Sequence, residues 1–177
     1  QVLAAVRRVE GVDSAALGAN LPYARTSWSN TVWIGGREAD TLYGPTTPEL
    51  RETLGLELIY GRWLEEGDRS LSYTPVVVSR GLARDLFGNE DAVGRVMPHF
   101  GDNGEIQEPE DESDVRRVVG VCADFKRRGE LDSLPYAAWC PADLEKDDFL
   151  PSQIAVRVRP GTGAEFEERF IRALLAV

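Results

Sequence analysis

The chain has 177 residues, of which 42% are hydrophobic and 28% charged, a composition that is typical of a folded domain and excludes an intrinsically disordered chain. Its formal net charge of −10 argues against nucleic-acid binding, because phosphate contacts need clustered Lys and Arg. No apolar run approaches the ~20 residues that cross a bilayer, and the first residues do not resemble a signal peptide. The length allows one compact unit, or two small lobes that share an interface.

The two ends of the chain carry complementary patterns. An amphipathic helix is predicted before Gly11, followed by a strand over 12–19. Near the other end, 153–159 alternates as a half-buried strand, and Thr162 with Glu165 is typical of a capping box at a helix start. The core stripe of that last helix is predicted to contain Phe166, Phe170, Ile171, Leu174 and Leu175.

This order of elements predicts an α+β fold. A ferredoxin-like lobe of two split βαβ units, each without an outer strand, would be built from residues 1–36 plus 151–177. Residues 37–150 would form an inserted, mostly β second lobe with short helices. The chain starts at Gln1 within a helical pattern and stops at Val177 on an apolar helical run, so we expect both ends to continue into a larger protein.

The clearest unit within the insertion is a strand, a turn and a helix. Residues 76–78 predict a buried strand, Ser79 is a favourable helix N-cap, and Gly88 ends the helical pattern. A short helix closed by Gly55 precedes this unit. Further strands are predicted near 31–34, 56–60, 93–97, 117–125 and 136–139.

Residues that carry chemistry are few and scattered. His99 is the single histidine, and no neighbouring serine or cysteine is arranged as an activated nucleophile. The carboxylates between Asp102 and Asp114 do not follow a calcium-loop spacing. The glycines at 161 and 163 lack the lysine of a phosphate-binding loop. We therefore predict no catalytic residue, no metal site and no cofactor.

Cysteine and tryptophan leave alternatives open. Cys122 and Cys140 are either two small buried residues or, if the domain is extracytoplasmic, one disulfide. The chain has four tryptophans, which serve either as core residues or as anchors in a partner. Trp28 lies in a Ser- and Thr-rich loop and is the candidate partner contact.

Several short motifs follow one another at regular intervals through the insertion. They are Leu54-Gly55-Leu56, Gly61-Arg62-Trp63-Leu64 with Asp68, Pro75 to Ser79, Leu82 to Gly88, Glu90-Asp91, Val93-Gly94-Arg95, and Val118 to Val121 with Asp124-Phe125. In this order they resemble the periplasmic core domain of MacB/FtsX-like ABC transporter permeases, of the macrolide-exporter and lipoprotein-release type. Glu10 and Ala92 stand where that family usually has proline, and the acidic loop is longer.

The resemblance implies an extracytoplasmic domain, on the periplasmic side of the bacterial inner membrane, held between the first and second of four transmembrane helices. It implies a permease dimer, ATP hydrolysis on a separate cytoplasmic subunit or domain, and a periplasmic adaptor or other extracytoplasmic protein as partner. The domain would transmit ATP-driven motion and would not be an enzyme. The alternative is a small extracytoplasmic hydrolase or solute-binding domain, which would have a cleft between its lobes.

Overall fold

The computed structural model describes residues 2–24, 29–101, 103–126, 136–144 and 151–176. The helices in these ranges are α1 (Val2–Arg7), α2 (Leu50–Leu54), α3 (Arg80–Phe87) and α4 (Glu165–Leu175). The strands are β1 (Val12–Gly18), β2 (Ser29–Ile34), β3 (Arg37–Thr46), β4 (Leu58–Gly61), β5 (Thr74–Ser79), β6 (Val96–Met97), β7 (His99–Phe100), β8 (Ile106–Gln107), β9 (Arg116–Cys122), β10 (Tyr136–Pro141) and β11 (Gln153–Val158).

One mixed sheet organises the molecule. Its strands follow the order β11-β1-β3-β10-β5-β9-β4, with β2 paired to β3 and β6 paired to β9. β10 runs parallel to β3 and antiparallel to β5, and β5 runs parallel to β9. The remaining two strands, β7 and β8, form a small separate hairpin. The predicted α+β fold class is confirmed.

The terminal unit consists of the antiparallel pair β1 and β11 with helices α1 and α4 on one face. The pairing runs from Val12 opposite Val158 to Gly18 opposite Gln153, and the core of this unit is centred on Val6 and Ala15. The predicted core stripe of α4 includes two residues that do not pack on the core. Phe166, Phe170 and Leu174 pack on that core, whereas Ile171 and Leu175 are 48% and 84% exposed.

The terminal unit joins the rest of the sheet through a narrow junction. β1 pairs with β3 only at Gly18 and Thr46. Hydrogen bonds extend this contact, since the amide and carbonyl of Leu17 bond to the side chain and backbone of Thr47 at 3.2 and 3.0 Å. A side chain at position 18 would crowd Leu21, because a Cβ there would lie 3.0 Å from its Cδ2.

The central strands are buried on both faces. On β5, Val76 and Val78 point into one core cluster and Val77 into another, and all three are fully buried. The register between β5 and β9 shifts between Val76 and Val77, which gives β9 an extra residue at Val119. Runs of consecutive valines are typical of strands covered on both sides, and this one is covered as that pattern predicts.

Strand β2 packs with the central strands. Residues 29–36, which the sequence patterns group with the terminal unit, contain β2, and β2 pairs with β3 from Ser29 opposite Leu42 to Ile34 opposite Arg37. Val32 of β2 belongs to the same core cluster as Val76 and Val78. The division into lobes at residues 36 and 151 stays a prediction.

One predicted helix cap is wrong, and the other is confirmed in position only. Ser79 occupies the N-cap position of α3, yet its hydroxyl accepts a hydrogen bond from the Ala137 amide at 3.1 Å, and Asp124 bonds the Gly81 amide at 2.7 Å in its place. The Thr162 hydroxyl donates to the Arg159 carbonyl at 2.6 Å, so it does not cap α4, whose N-cap residue is Ala164. In both cases the hydroxyl forms a hydrogen bond with a backbone group outside the first turn of the helix.

Candidate functional site

The tryptophans divide between core and surface elements. Trp63 and Trp139 are buried, with ring centroids 5.7 Å apart, and Phe125 lies 5.5 Å from Trp139 on its other side. Trp33 lies under the β7–β8 hairpin, where a Cβ on Gly104 would approach its ring to 2.5 Å. Trp28 lies outside the described residues, so its role as a partner contact stays a prediction.

The two cysteines do not form a disulfide in this structure. Both thiols are free and buried, and they belong to core clusters on opposite faces of the sheet. Cys122 lies on β9 and Cys140 on β10, with β5 between these strands, so the thiols cannot meet without breaking the strand pairing. This placement matches the alternative of two small buried residues. Burial raises the pKa of Cys122 to about 12 and also raises that of Cys140, which disfavours thiolate chemistry.

The Gly61-to-Asp68 motif has a structural role. Arg62 donates from both terminal nitrogens to Asp68, at 2.9 and 2.6 Å, and the Glu65 amide donates to the same carboxylate at 2.9 Å. Asp68 is buried, and the hydrogen bond to it raises the pKa of Arg62. The bidentate pair holds the segment that carries Trp63 into the core.

His99 lines a groove between β6 and the β7–β8 hairpin. The groove has a volume of about 260 Å³ and also contains Glu108, Asp114 and Arg116. Burial is the main cause that lowers the pKa of His99, with the Arg116 charge as the second cause. A hydrogen bond to the Asp114 backbone and the Asp114 charge oppose this shift. The remaining lining residues are mostly apolar: Val96, Met97, Pro98, Ile106, Pro109 and Val115.

The groove brings together a histidine and two carboxylates, as a hydrolase would require, but it lacks an activated nucleophile. Its lining contains no serine, threonine or cysteine. The Nε2 atom of His99 is buried and has no hydrogen-bond partner among the described residues. Ser29 and Thr31 line a second groove that His99 also borders, but neither hydroxyl bonds to Nε2, so the described residues form no activated nucleophile at this histidine.

The described residues form neither an open anion site at α3 nor a metal-binding cluster. At the N-terminus of α3, where helix amides attract anions, the Asp124 carboxylate already bonds the Gly81 amide at 2.7 Å. Within the ranges that the structure describes, no group of three or more His, Cys, Asp and Glu side chains could hold a metal ion. The described parts of the acidic loop form β8 and a 3₁₀ turn at Glu112–Asp114.

The sequence patterns did not predict a cluster of three side chains from three different strands. Arg116 lies over the ring of Tyr43, with 4.5 Å between its Cζ and the ring centroid. Tyr43 and Cys140 interact by a side-chain hydrogen bond, and burial raises the pKa of the Tyr43 hydroxyl. These three residues come from β9, β3 and β10. Only the order of the strands in the sheet brings these residues together. Tyr43 and Cys140 belong to the core, and Arg116 covers the Tyr43 ring.

Comparison with proteins of known structure identifies the same fold. The periplasmic region of MacB from Actinobacillus actinomycetemcomitans aligns with 98% of this chain and 71% of its own, at 18% identity and a TM-score of 0.61. The extracellular domain of the noncanonic ABC-type transporter YknZ from Gram-positive bacteria aligns with 99% of this chain and 81% of its own, at 15% identity and a TM-score of 0.63. Comparison with curated protein sequences gives no match.

The sequence itself matches a family profile. The profile is described as the MacB-like periplasmic core domain, and the match covers residues 1–173. None of the described helices is long and apolar enough to span a bilayer. The match includes every motif on which the resemblance was based. The chain therefore belongs to the MacB-like periplasmic core domain family, the extracytoplasmic domain of an ABC transporter permease.

Proposed function

We propose that this domain transmits ATP-driven motion from the membrane part of an ABC transporter to an extracytoplasmic partner. ATP would be hydrolysed on a separate cytoplasmic subunit or domain, and the permease would act as a dimer. The observation that carries the proposal is that β11 and β1 belong to the same sheet as the central strands, which they reach through the pairing of Gly18 with Thr46. Because packed interiors are nearly incompressible, a displacement of the terminal unit would reach the far edge of such a sheet.

The helix directions support attachment of the terminal unit to membrane helices. α1 turns tightly into β1, and the Arg159 amide after β11 bonds the Gly11 carbonyl at 2.8 Å, so both turns lie at one end of the strand pair. α1 and α4 pack on the same face of this pair. The first turn of α1 and the last turn of α4 are thus at the same end, as two neighbouring transmembrane connections would require.

The junction between the terminal unit and the central strands offers the test. Arg7 forms a 2.7 Å ion pair with Glu49 just before α2, and the Nε of Arg157 on β11 donates to the Thr53 carbonyl of α2 at 3.1 Å. These two side chains link α1 and β11 of the terminal unit to α2 and the residue that precedes it. Both side chains are exposed, so loss of the Arg7–Glu49 ion pair by itself costs little stability. Arg7→Gln also removes the two hydrogen bonds of Arg7 to the Ala15 carbonyl, so unfolding of the double variant is measured alongside transport.

In the full-length transporter, we expect the double variant Arg7→Gln/Arg157→Gln to lose transport while its ATP hydrolysis stays at the unaltered level. The matched control is Arg8→Gln/Arg159→Gln, which removes two exposed charges from the same unit and should preserve both activities. A parallel decline of ATP hydrolysis and transport, or an equal effect of the control, would contradict a relay role.

A periplasmic adaptor or other extracytoplasmic protein is the proposed partner. In-cell photo-crosslinking from position 28 of the full-length permease tests the predicted contact directly. The control probe at Arg37 lies on an exposed strand end. An adduct of defined mass from position 28, absent from position 37, is the expected result. Equal adducts from both positions, or none from position 28, would remove Trp28 from the proposal.

A further inference from the structure

Another surface groove lies beside β9, on the side where this strand pairs with β4 and β6. Its lining includes Arg62, Tyr73, Val93, Gly94 and Arg117. Its volume is about 450 Å³. We call this surface the Arg117 groove.

The electrostatics of the Arg117 groove differ from those of the chain as a whole. The protein carries 30 acidic and 20 basic residues, yet the residues that line this groove include two arginines and no carboxylate. Asp68 compensates the charge of Arg62 through the bidentate pair. Arg117 is therefore an uncompensated guanidinium in this lining, on a protein whose net charge is −10.

Arg117 is held in place without an ion pair. Its Nη1 donates to the Gly94 carbonyl at 3.3 Å, and its Cζ lies 5.3 Å from the centroid of the Tyr73 ring. No described carboxylate forms an ion pair with it. An arginine stacked on a tyrosine is pre-organised to bind a carboxylate with its free N–H groups. Arg and Tyr are also enriched among residues that dominate binding energy at interfaces.

Apolar contacts complete the surface. Val93 and Tyr73 line the groove, and Val93 is 44% exposed. A small anion would contact only the guanidinium groups and leave these side chains in water. An occupant with both carboxylates and apolar side chains would cover the whole surface.

Strand addition is excluded as the binding mode in this groove. The Val119 and Val118 carbonyls accept the Arg62 and Gly94 amides at 3.0 and 2.8 Å, and the Val118 amide donates to the Arg95 carbonyl at 2.8 Å. Since these backbone groups are already paired, an occupant must be recognised through side chains.

We propose that the Arg117 groove binds an acidic peptide segment, with at least one aliphatic or aromatic side chain, from an extracytoplasmic partner protein. The proposal rests on the partner-binding half of the proposed function and adds the chemistry of the partner. Carboxylates bind Arg117 and the free donors of Arg62, while the apolar side chain lies against Val93 and Tyr73.

The test is a titration of the isotope-labelled 177-residue chain with a soluble peptide of Glu, Leu, Phe and Ser, followed by NMR. The same peptide with Gln in place of Glu is the matched ligand control. We expect shifts at Arg117, Gly94 and Val93, and at least ~10-fold weaker binding of the Gln peptide, equivalent to about 1.4 kcal/mol.

Two variants in the groove and one control variant elsewhere assign the binding to the groove. Arg117→Gln should weaken the Glu peptide at least ~10-fold, whereas Arg37→Gln, which removes an exposed charge elsewhere, should leave its affinity unchanged. Val93→Glu, at an exposed position, should abolish binding by charge repulsion. Equal binding of both peptides, equal effects of both arginine variants, shifts elsewhere on the surface, or no binding would each overturn the proposal. The relay assay with Arg7 and Arg157 is independent of this titration, so either can fail alone.

Discussion

The central strands and the terminal unit are built from similar elements but bury them differently. In the centre, β5, β9 and β10 have core clusters on both faces, and Val76, Val77 and Val78 have no exposed surface. In the terminal unit, the residues of β11 are only partly buried or exposed, and α4 has no fully buried residue. The centre is therefore more completely packed than the terminal unit, whose own core is small.

The largest test of this difference is truncation of an aromatic residue in each region. Trp139→Ala would leave a cavity between Trp63 and Phe125 and should lower the free energy of unfolding by about 3–5 kcal/mol. Phe170→Ala, in the half-exposed stripe of α4, should cost about 1–2 kcal/mol. Urea unfolding followed by tryptophan fluorescence and circular dichroism for both variants gives these values. Equal losses would contradict this difference in packing.

The second test removes the buried carboxylate of the centre. Asp68→Asn keeps the shape of the side chain but removes the charge that two Arg62 nitrogens contact. We expect a loss of about 2–3 kcal/mol, because the pair includes a buried ion. The matched control Glu168→Gln, in an exposed pair with Arg172 on α4, should change the unfolding free energy by less than ~0.5 kcal/mol.

The third test concerns the start of α3, where the Asp124 side chain bonds the Gly81 amide and the Ser79 side chain does not cap the helix. Asp124→Ala removes the carboxylate that bonds the Gly81 amide and should cost about 1–2 kcal/mol. Ser79→Ala should also destabilise the fold, by about 1–2 kcal/mol, because it leaves the buried Ala137 amide without its acceptor. Thermal unfolding of both single variants and of the double variant measures the effects. The two losses should add, because Asp124 and Ser79 bond different amides. A clearly non-additive double variant would indicate that both side chains act on the same end of α3.

The smallest effect is a pH dependence from His99. Its pKa lies below the ordinary value of 6.5 because of burial first and the Arg116 charge second, so the folded state binds fewer protons than the unfolded state. Stability is then lost as the pH falls through 6.5. Replacement by Gln removes the titrating group, so the difference in unfolding free energy between His99→Gln and the original chain should increase below that pH. No change in this difference between pH 7.5 and 5.5 would contradict the burial argument.

Local signals predicted many individual elements. Glycines in the left-handed region end α2 at Gly55 and α3 at Gly88, where the sequence places them, because few other residues adopt that conformation without strain. The alternation over 153–159 predicted β11, and the valine run predicted β5. The motifs predicted the family, which the match over residues 1–173 confirms.

Other features had no local signal. Strand β3, Arg37–Thr46, was not predicted, although it pairs with β1, β2 and β10. Its sequence mixes charged residues with Gly44 and Pro45, and Gly44 is needed because a Cβ there would lie 2.4 Å from that of Ala19. That requirement comes from a neighbouring chain segment, which no periodicity can reveal.

The sequence alone determined the periodic elements, their glycine boundaries and the family, since each depends on residues within about one turn or strand of each other. Tertiary structure decided the strand order, the capping of α3 by Asp124, the separation of Cys122 from Cys140 and the Arg117 groove. Each of these depends on partners distant in sequence. The physical reason is that a polar group bonds to the partner that folding brings nearest, and β-sheet pairing is set by long-range packing.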